Sequence, residues 1–81
     1  MLAADVIQVL KAQGLTAATC ESLTGGLIAS TLVEVPGASA VVRGGLITYQ
    51  TDTKTLLAGV PADVIEEHDV VSAEVAQAMA A

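Results

Sequence analysis

Three side chains stand out by type and spacing: Ser22 in the stretch CESLTGG, and Tyr49 and Lys54 in TYQTDTK. A serine is a weak nucleophile until a neighbouring base takes its proton, and a lysine in suitable surroundings can be that base. A tyrosine between the two relays the proton or fixes the geometry. Tyr49 and Lys54 stand five residues apart, across an expected strand-to-helix junction. The plain alternative is a solvated helix lysine beside an ordinary strand aromatic, because most lysines lie at the surface.

The stretch around Ser22 has a second chemistry in it. A strand followed by a glycine-bearing turn and a helix start aims backbone N–H groups, with the helix dipole behind them, at a phosphate or a developing oxyanion. Gly25 and Gly26 permit close approach of a ligand, and Ser22 and Thr24 add hydroxyls. The turn lacks the spacing of a dinucleotide fingerprint, and no Gly-Lys-Ser/Thr follows as in a P-loop. Spacing alone is explained as well by a capped turn in which Thr24 is the helix N-cap.

The other candidates each carry two readings. Arg43, planar and permanently charged, suits a phosphate or carboxylate clamp, or else a surface ion pair. Ser39 is a second site hydroxyl or a turn cap, and Glu21 orients a hydroxyl or ends the strand. His68, between Glu67 and Asp69, reads as solvated, and Cys20 as packing in a buried strand. No His, Cys and Asp grouping has metal-ligand spacing, so no metal site and no cofactor is expected.

These residues must be positioned by a small aliphatic domain. The chain has 81 residues, 53% of them apolar, and Tyr49 is its single aromatic. Nine acidic against three basic residues give a net charge of −6 and no basic stripe, which argues against a nucleic-acid partner. One cysteine cannot form an internal disulfide. Asp5 interrupts the first apolar pattern where a secretory leader would need a basic start, and no apolar run approaches the ~18 residues that span a bilayer. A soluble, cytoplasmic setting without a membrane partner is the expectation.

Periodicity predicts a helix from Leu2 ended by Gly14, a buried strand LTAATC, and a helix GGLIASTLVEV ended by Pro36 and Gly37. AVVRGGLITYQ reads as one bent strand or a strand pair. Thr51 or Asp52 caps a helix closed by Gly59, Pro61 opens PADVIEEHD, and Ser72 caps SAEVAQAMAA. The order is that of an α/β layered domain. Two strands make a poor sheet, so the chain is expected to be the front part of a larger domain, or to be completed by another chain.

The run TCESLTGGLIASTLVEVPGASAVVRGGLITYQTDTKTLLAGV, followed by IEEHDVVSAEVAQAMA, resembles the C-terminal domain of CinA, the competence/damage-inducible family. The ordered set E-S-x-T-G-G, V-P-G-x-S, R-G-G-x-x-x-Y and EEH…VS carries the resemblance over nearly all of residues 1–81. That domain is similar to the nicotinamide-nucleotide amidases. The resemblance implies a three-layer α/β/α domain of about twice this length, of which this chain is the N-terminal half. It also implies hydrolysis of nicotinamide mononucleotide to nicotinate mononucleotide and ammonia. Carried over by position, the site falls on Ser22, Thr24, Ser39, Tyr49 and Lys54, with the N–H groups of the turn at Gly25 and Gly26 holding phosphate or oxyanion. Arg43 joins the substrate-binding candidates by its own chemistry. Whether Ser22 or Ser39 attacks stays open: Ser22 lies in the better anion-binding turn, Ser39 closer to Lys54 along the chain. The family pattern has two serines after V-P-G, where this chain has Ala38 and Ser39. The expected partners are a small nucleotide substrate and either a second copy of the chain or the rest of the domain.

Overall fold

A computed structural model describes residues 2–81. Helix α1 covers Ala3–Ala12, with the Asp5 carboxylate accepting the Leu2 N–H at 3.0 Å. Gly14 leaves the helix with φ of +67°, a left-handed conformation that costs glycine little. Strand β1 is Ala17–Glu21, helix α2 is Leu27–Val33, and strand β2 is Val42–Ile47, preceded by a 3-10 turn at Ala38–Ala40. Helices α3 (Thr51–Ala58), α4 (Ala62–His68) and α5 (Ala73–Ala80) follow.

The two strands run parallel, so the chain must cross over between them, and α2 forms that crossover. Ala17 pairs with Val42 but Ala18 with Gly44, which leaves Arg43 as an extra residue on β2. Such a bulge bends and twists the strand locally. The expected bent strand or strand pair is therefore one strand. Thr19 faces Gly45 in this register, and a Cβ at Gly45 would run into the Thr19 hydroxyl, so the two strands need a glycine there.

Side-chain alternation along β1 divides the helices between the two faces. Glu21 bonds to α2, whereas Ala18 and Cys20 share a groove with Ala76 and Met79 of α5. The expected α/β class with helices on both faces is borne out. Ile7, Ala38 and Val41 form a buried cluster joined by Leu10, Leu32, Val35 and Val42, which ties α1, α2 and the 3-10 turn to the start of β2. This cluster lies at the end of the sheet where β2 begins, away from Ser22.

Several expected caps move. Thr24 is not the N-cap of α2: Gly26 holds that position with φ of +101°, and the Thr24 hydroxyl donates to Glu21 instead. The two glycines permit a left-handed turn that a threonine cap would not reach. Gln50 rather than Thr51 or Asp52 precedes α3, and Thr53 donates to its carbonyl at 2.6 Å. Pro61 is the cap of α4 rather than its first residue. Gly59 ends α3 with φ of +71°, and Ser72 caps α5 by accepting the Val75 N–H at 3.2 Å, both as expected.

Candidate functional site

Because the strands are parallel, the residues just past their C-terminal ends lie side by side. The Thr48 N–H donates to the Glu21 carbonyl at 2.8 Å, which extends the pairing by one step beyond the sheet. Ser22 follows Glu21, and α3 begins at Thr51, three residues beyond Thr48. Lys54 lies in the first turn of α3, and its side chain reaches back over the strand ends.

Lys54 is only 2% exposed, an uncommon state for a lysine. Its Nζ donates to the Thr48 carbonyl at 2.6 Å, to Ser22 Oγ at 2.9 Å, and to the Tyr49 carbonyl at 3.5 Å. Among the described residues no carboxylate pairs with it, both ion pairs found being made by His68. The plain expectation of a solvated Lys54 is overturned. An ammonium group has three protons for these three oxygens. The neutral amine offers two protons and a lone pair, so with the two carbonyls accepting, the lone pair falls to the Ser22 hydroxyl. That is the arrangement a general base requires.

Glu21 is the second buried ionisable side chain, 4% exposed. Its Oε1 accepts from the Thr24 hydroxyl at 2.6 Å and from Ile28 N–H at 2.7 Å, and its Oε2 from Ala29 N–H at 3.0 Å. The carboxylate therefore sits on the first turn of α2, where helix N–H groups lack backbone partners. Burial by itself would raise its pKa. The bonds from Thr24, Ala29 and Ile28 outweigh that and hold it below the ordinary carboxylate value. Thr19 adds to the lowering, although its buried hydroxyl makes no hydrogen bond of good geometry. Two of the free helix donors expected at this turn, the Ile28 and Ala29 N–H groups, are thus already taken by the chain's own carboxylate.

A cleft of about 320 Å³ opens beside Ser22 and Lys54, walled by Thr24 and Ile28 on one side and by Val71, Val75 and Met79 on the other. Gly25 has φ of +63°, and its N–H closes a turn on the Ser22 carbonyl at 3.1 Å. The structure brings together Ser22, Thr24, the two glycines and Lys54. Tyr49 enters only through its carbonyl, its side chain being 68% exposed and its phenol making no hydrogen bond among the described residues. Ser39 lies exposed in the 3-10 turn and Arg43 near the start of β2. Both are at the opposite end of a six-residue strand, roughly 3.3 Å per residue, from the Ser22–Lys54 pair.

The family model of the CinA C-terminal domain matches residues 1–81. The chain belongs to this family. A CinA-like protein of Myxococcus xanthus is 49% identical over 78 residues, which is 96% of this chain and 18% of that protein. A CinA-like protein of a Synechococcus strain is 48% identical over 98% of this chain and 19% of its own length. The crystal structure of the competence/damage inducible protein CihA from Agrobacterium tumefaciens superposes with a TM-score of 0.92 at 40% identity, over 95% of this chain and 47% of that one. This CinA-family chain thus spans about a fifth of the length of such curated relatives.

Sequence reasoning left the role of Glu21 open and passed over Thr48 and the α5 residues. A glutamate directly before a Ser-x-Thr-Gly-Gly turn was the available signal for a carboxylate that caps the next helix. Nothing local points to Val75 or Met79, which reach the cleft only through packing. Among the described residues no three His, Cys, Asp or Glu side chains come together as metal ligands do, and no helix is long and apolar enough to cross a membrane.

Proposed function

We propose that this chain supplies the nucleophile and base of an amidohydrolase whose substrate is nicotinamide mononucleotide. The 2.9 Å contact between Lys54 Nζ and Ser22 Oγ, at the edge of a cleft, is the observation that supports it. Neutral Lys54 takes the Ser22 proton as Oγ attacks the carboxamide carbon. The lysine then returns that proton to the departing nitrogen, ammonia leaves, and an ester on Ser22 remains. Water attacks the ester with Lys54 again as base, releasing nicotinate mononucleotide and restoring Ser22. Ser22 is the nucleophile in this reading because it is the serine that Lys54 Nζ reaches, at 2.9 Å. The apolar cleft walls admit the ring, and Thr24 lines the cleft beside Ser22. No cofactor is invoked, and a cytoplasmic setting belongs to the same reading. Ammonia release from nicotinamide mononucleotide, lost in Ser22→Ala and Lys54→Ala, is the test. Equal release from the wild type and Lys54→Ala would sink it.

The alternative is a non-catalytic nucleotide-binding or oligomerisation module. The observation favouring it is apolar surface left open: Leu27, Ile28, Leu46, Ile47, Leu56 and Leu57 are all exposed. Exposed apolar surface of this extent marks a contact with a second copy or with further chain. Light scattering on the purified protein separates the cases, since a compact monomer at high concentration excludes self-association.

A further inference from the structure

We infer that Glu21 is the positioning residue of this site, acting as a built-in anion that locks the Ser22 turn against Lys54. The inference rests on the nucleophile reading above. A carboxylate one residue before a nucleophile would ordinarily disfavour negative charge there, so its burial at this place calls for a structural reason. The hydrogen bonds supply it. The Glu21 side chain reaches forward to the Thr24 hydroxyl and to the Ile28 and Ala29 N–H groups, which clamps both ends of the turn that carries Ser22. Its carbonyl accepts from Thr48 N–H at 2.8 Å, and the Thr48 carbonyl in turn accepts from Lys54 Nζ at 2.6 Å. One residue therefore fixes the serine through its side chain and the lysine through its backbone.

There is a consequence for the substrate. With Glu21 seated on α2, the Ile28 and Ala29 donors are not available to a phosphate or an oxyanion. Developing charge on the substrate oxygen has to be met by groups other than these two. The turn works as a rigid mount for Ser22.

The test needs no knowledge of the true substrate. A fluorophosphonate reacts with an activated serine by forming an Oγ–P bond and expelling fluoride, with the hydroxyl proton passing to Lys54. In the purified protein the wild type takes one phosphonyl group at Ser22, read by mass. Glu21→Gln keeps the shape and one acceptor oxygen but loses the bond from Ala29 N–H. Its maximal labelling rate is expected to fall tenfold or more, up to about 100-fold, the effect of displacing a reacting atom by about 1 Å. The probe concentration at half-maximal rate stays within about twofold, because the apolar walls of the cleft, Ile28, Val71, Val75 and Met79, are unchanged. Glu21→Asp keeps the charge that stabilises α2, and so the fold, while shortening the reach; it shows the same loss of rate with circular dichroism unchanged. Folded Glu21→Gln and Glu21→Asp that label at the wild-type rate would overturn the positioning role alone. A wild type that takes no label at Ser22 would overturn the nucleophile reading and this inference with it.

Discussion

Lys54 Nζ and Ser22 Oγ meet at 2.9 Å although the two residues are 32 positions apart in the chain. Their meeting depends on two parallel strands ending level with each other and on the first turn of α3 folding back over those ends. Among the described residues no carboxylate forms an ion pair with Lys54. A buried lysine held only by a hydroxyl and two carbonyls is a costly arrangement unless it serves the chemistry of the site.

Lys54→Met separates that chemistry from stability. The Thr48 carbonyl loses a donor, an effect of about 1–3 kcal/mol, while replacing a buried polar amine by an apolar side chain of similar length works in the opposite direction. The unfolding free energy should change by no more than about 2 kcal/mol, and ammonia release should fall by at least about 100-fold, as for loss of a general base. Urea unfolding and an ammonia assay on the same preparation check both. A variant that keeps more than a tenth of the activity would remove Lys54 from the mechanism.

Glu21 makes stability depend on acid. Its pKa in the folded chain is lower than its ordinary value of 4.5, so the unfolded chain binds the proton more readily. The resulting stabilisation is fully present above about pH 4.5 and is lost as the pH falls through the lower folded value. The urea midpoint of the wild type should decline over that acid window, and this part of the decline should be missing in Glu21→Gln. Parallel curves for the two proteins below pH 4.5 would show that Glu21 contributes nothing to it.

The two glycines of the turn should respond unequally to alanine. Gly25 has φ of +63° with nothing within 4 Å of a new Cβ, so Gly25→Ala bears only the left-handed backbone cost of about 1–2 kcal/mol. At Gly26, with φ of +101°, the Cβ would also come within 2.9 Å of Ile47 Cδ1. Gly26→Ala should therefore be the more destabilising, by about 2–3 kcal/mol in urea unfolding. Equal losses would mean that Ile47 yields freely and that only the backbone matters.

Ser72→Ala removes the side-chain cap of α5, worth about 1 kcal/mol. Val75, 2% exposed, forms part of the cleft wall immediately after this cap. The thermal midpoint should drop by several degrees, and Ser72→Asp, which keeps an acceptor at the cap, should recover most of it. If Ser72→Asp melts with Ser72→Ala, the hydroxyl has another role.

Much of the fold was legible in the sequence because its signals are local. The apolar spacing of α1, the left-handed stops at Gly14 and Gly59, and the Ser72 cap need only a few neighbouring residues to act. The end of α2 before Pro36 is of the same kind. The caps that moved were the ones decided at longer range. Thr24 has the right chemistry for an N-cap, but the Glu21 carboxylate at the end of β1 reaches the first turn of α2 with a full charge. It took the N–H groups, and the threonine hydroxyl turned to it.

The site divides along the same line. The types of its members, a serine in a glycine turn, a tyrosine and a lysine in one stretch, were fixed by composition and order, as was the family to which the motifs belong. Sequence distance suggested Ser39 as readily as Ser22, since it counts residues and knows nothing of strand direction. Parallel pairing places Ser22 and Thr48 at one end of the sheet and Ser39 and Arg43 toward the other, so direction alone decided which serine Lys54 meets. Tertiary packing also buried the lysine and left the Tyr49 ring outside. Chemical identity is written residue by residue, whereas burial and proximity arise only when separate segments exclude water together.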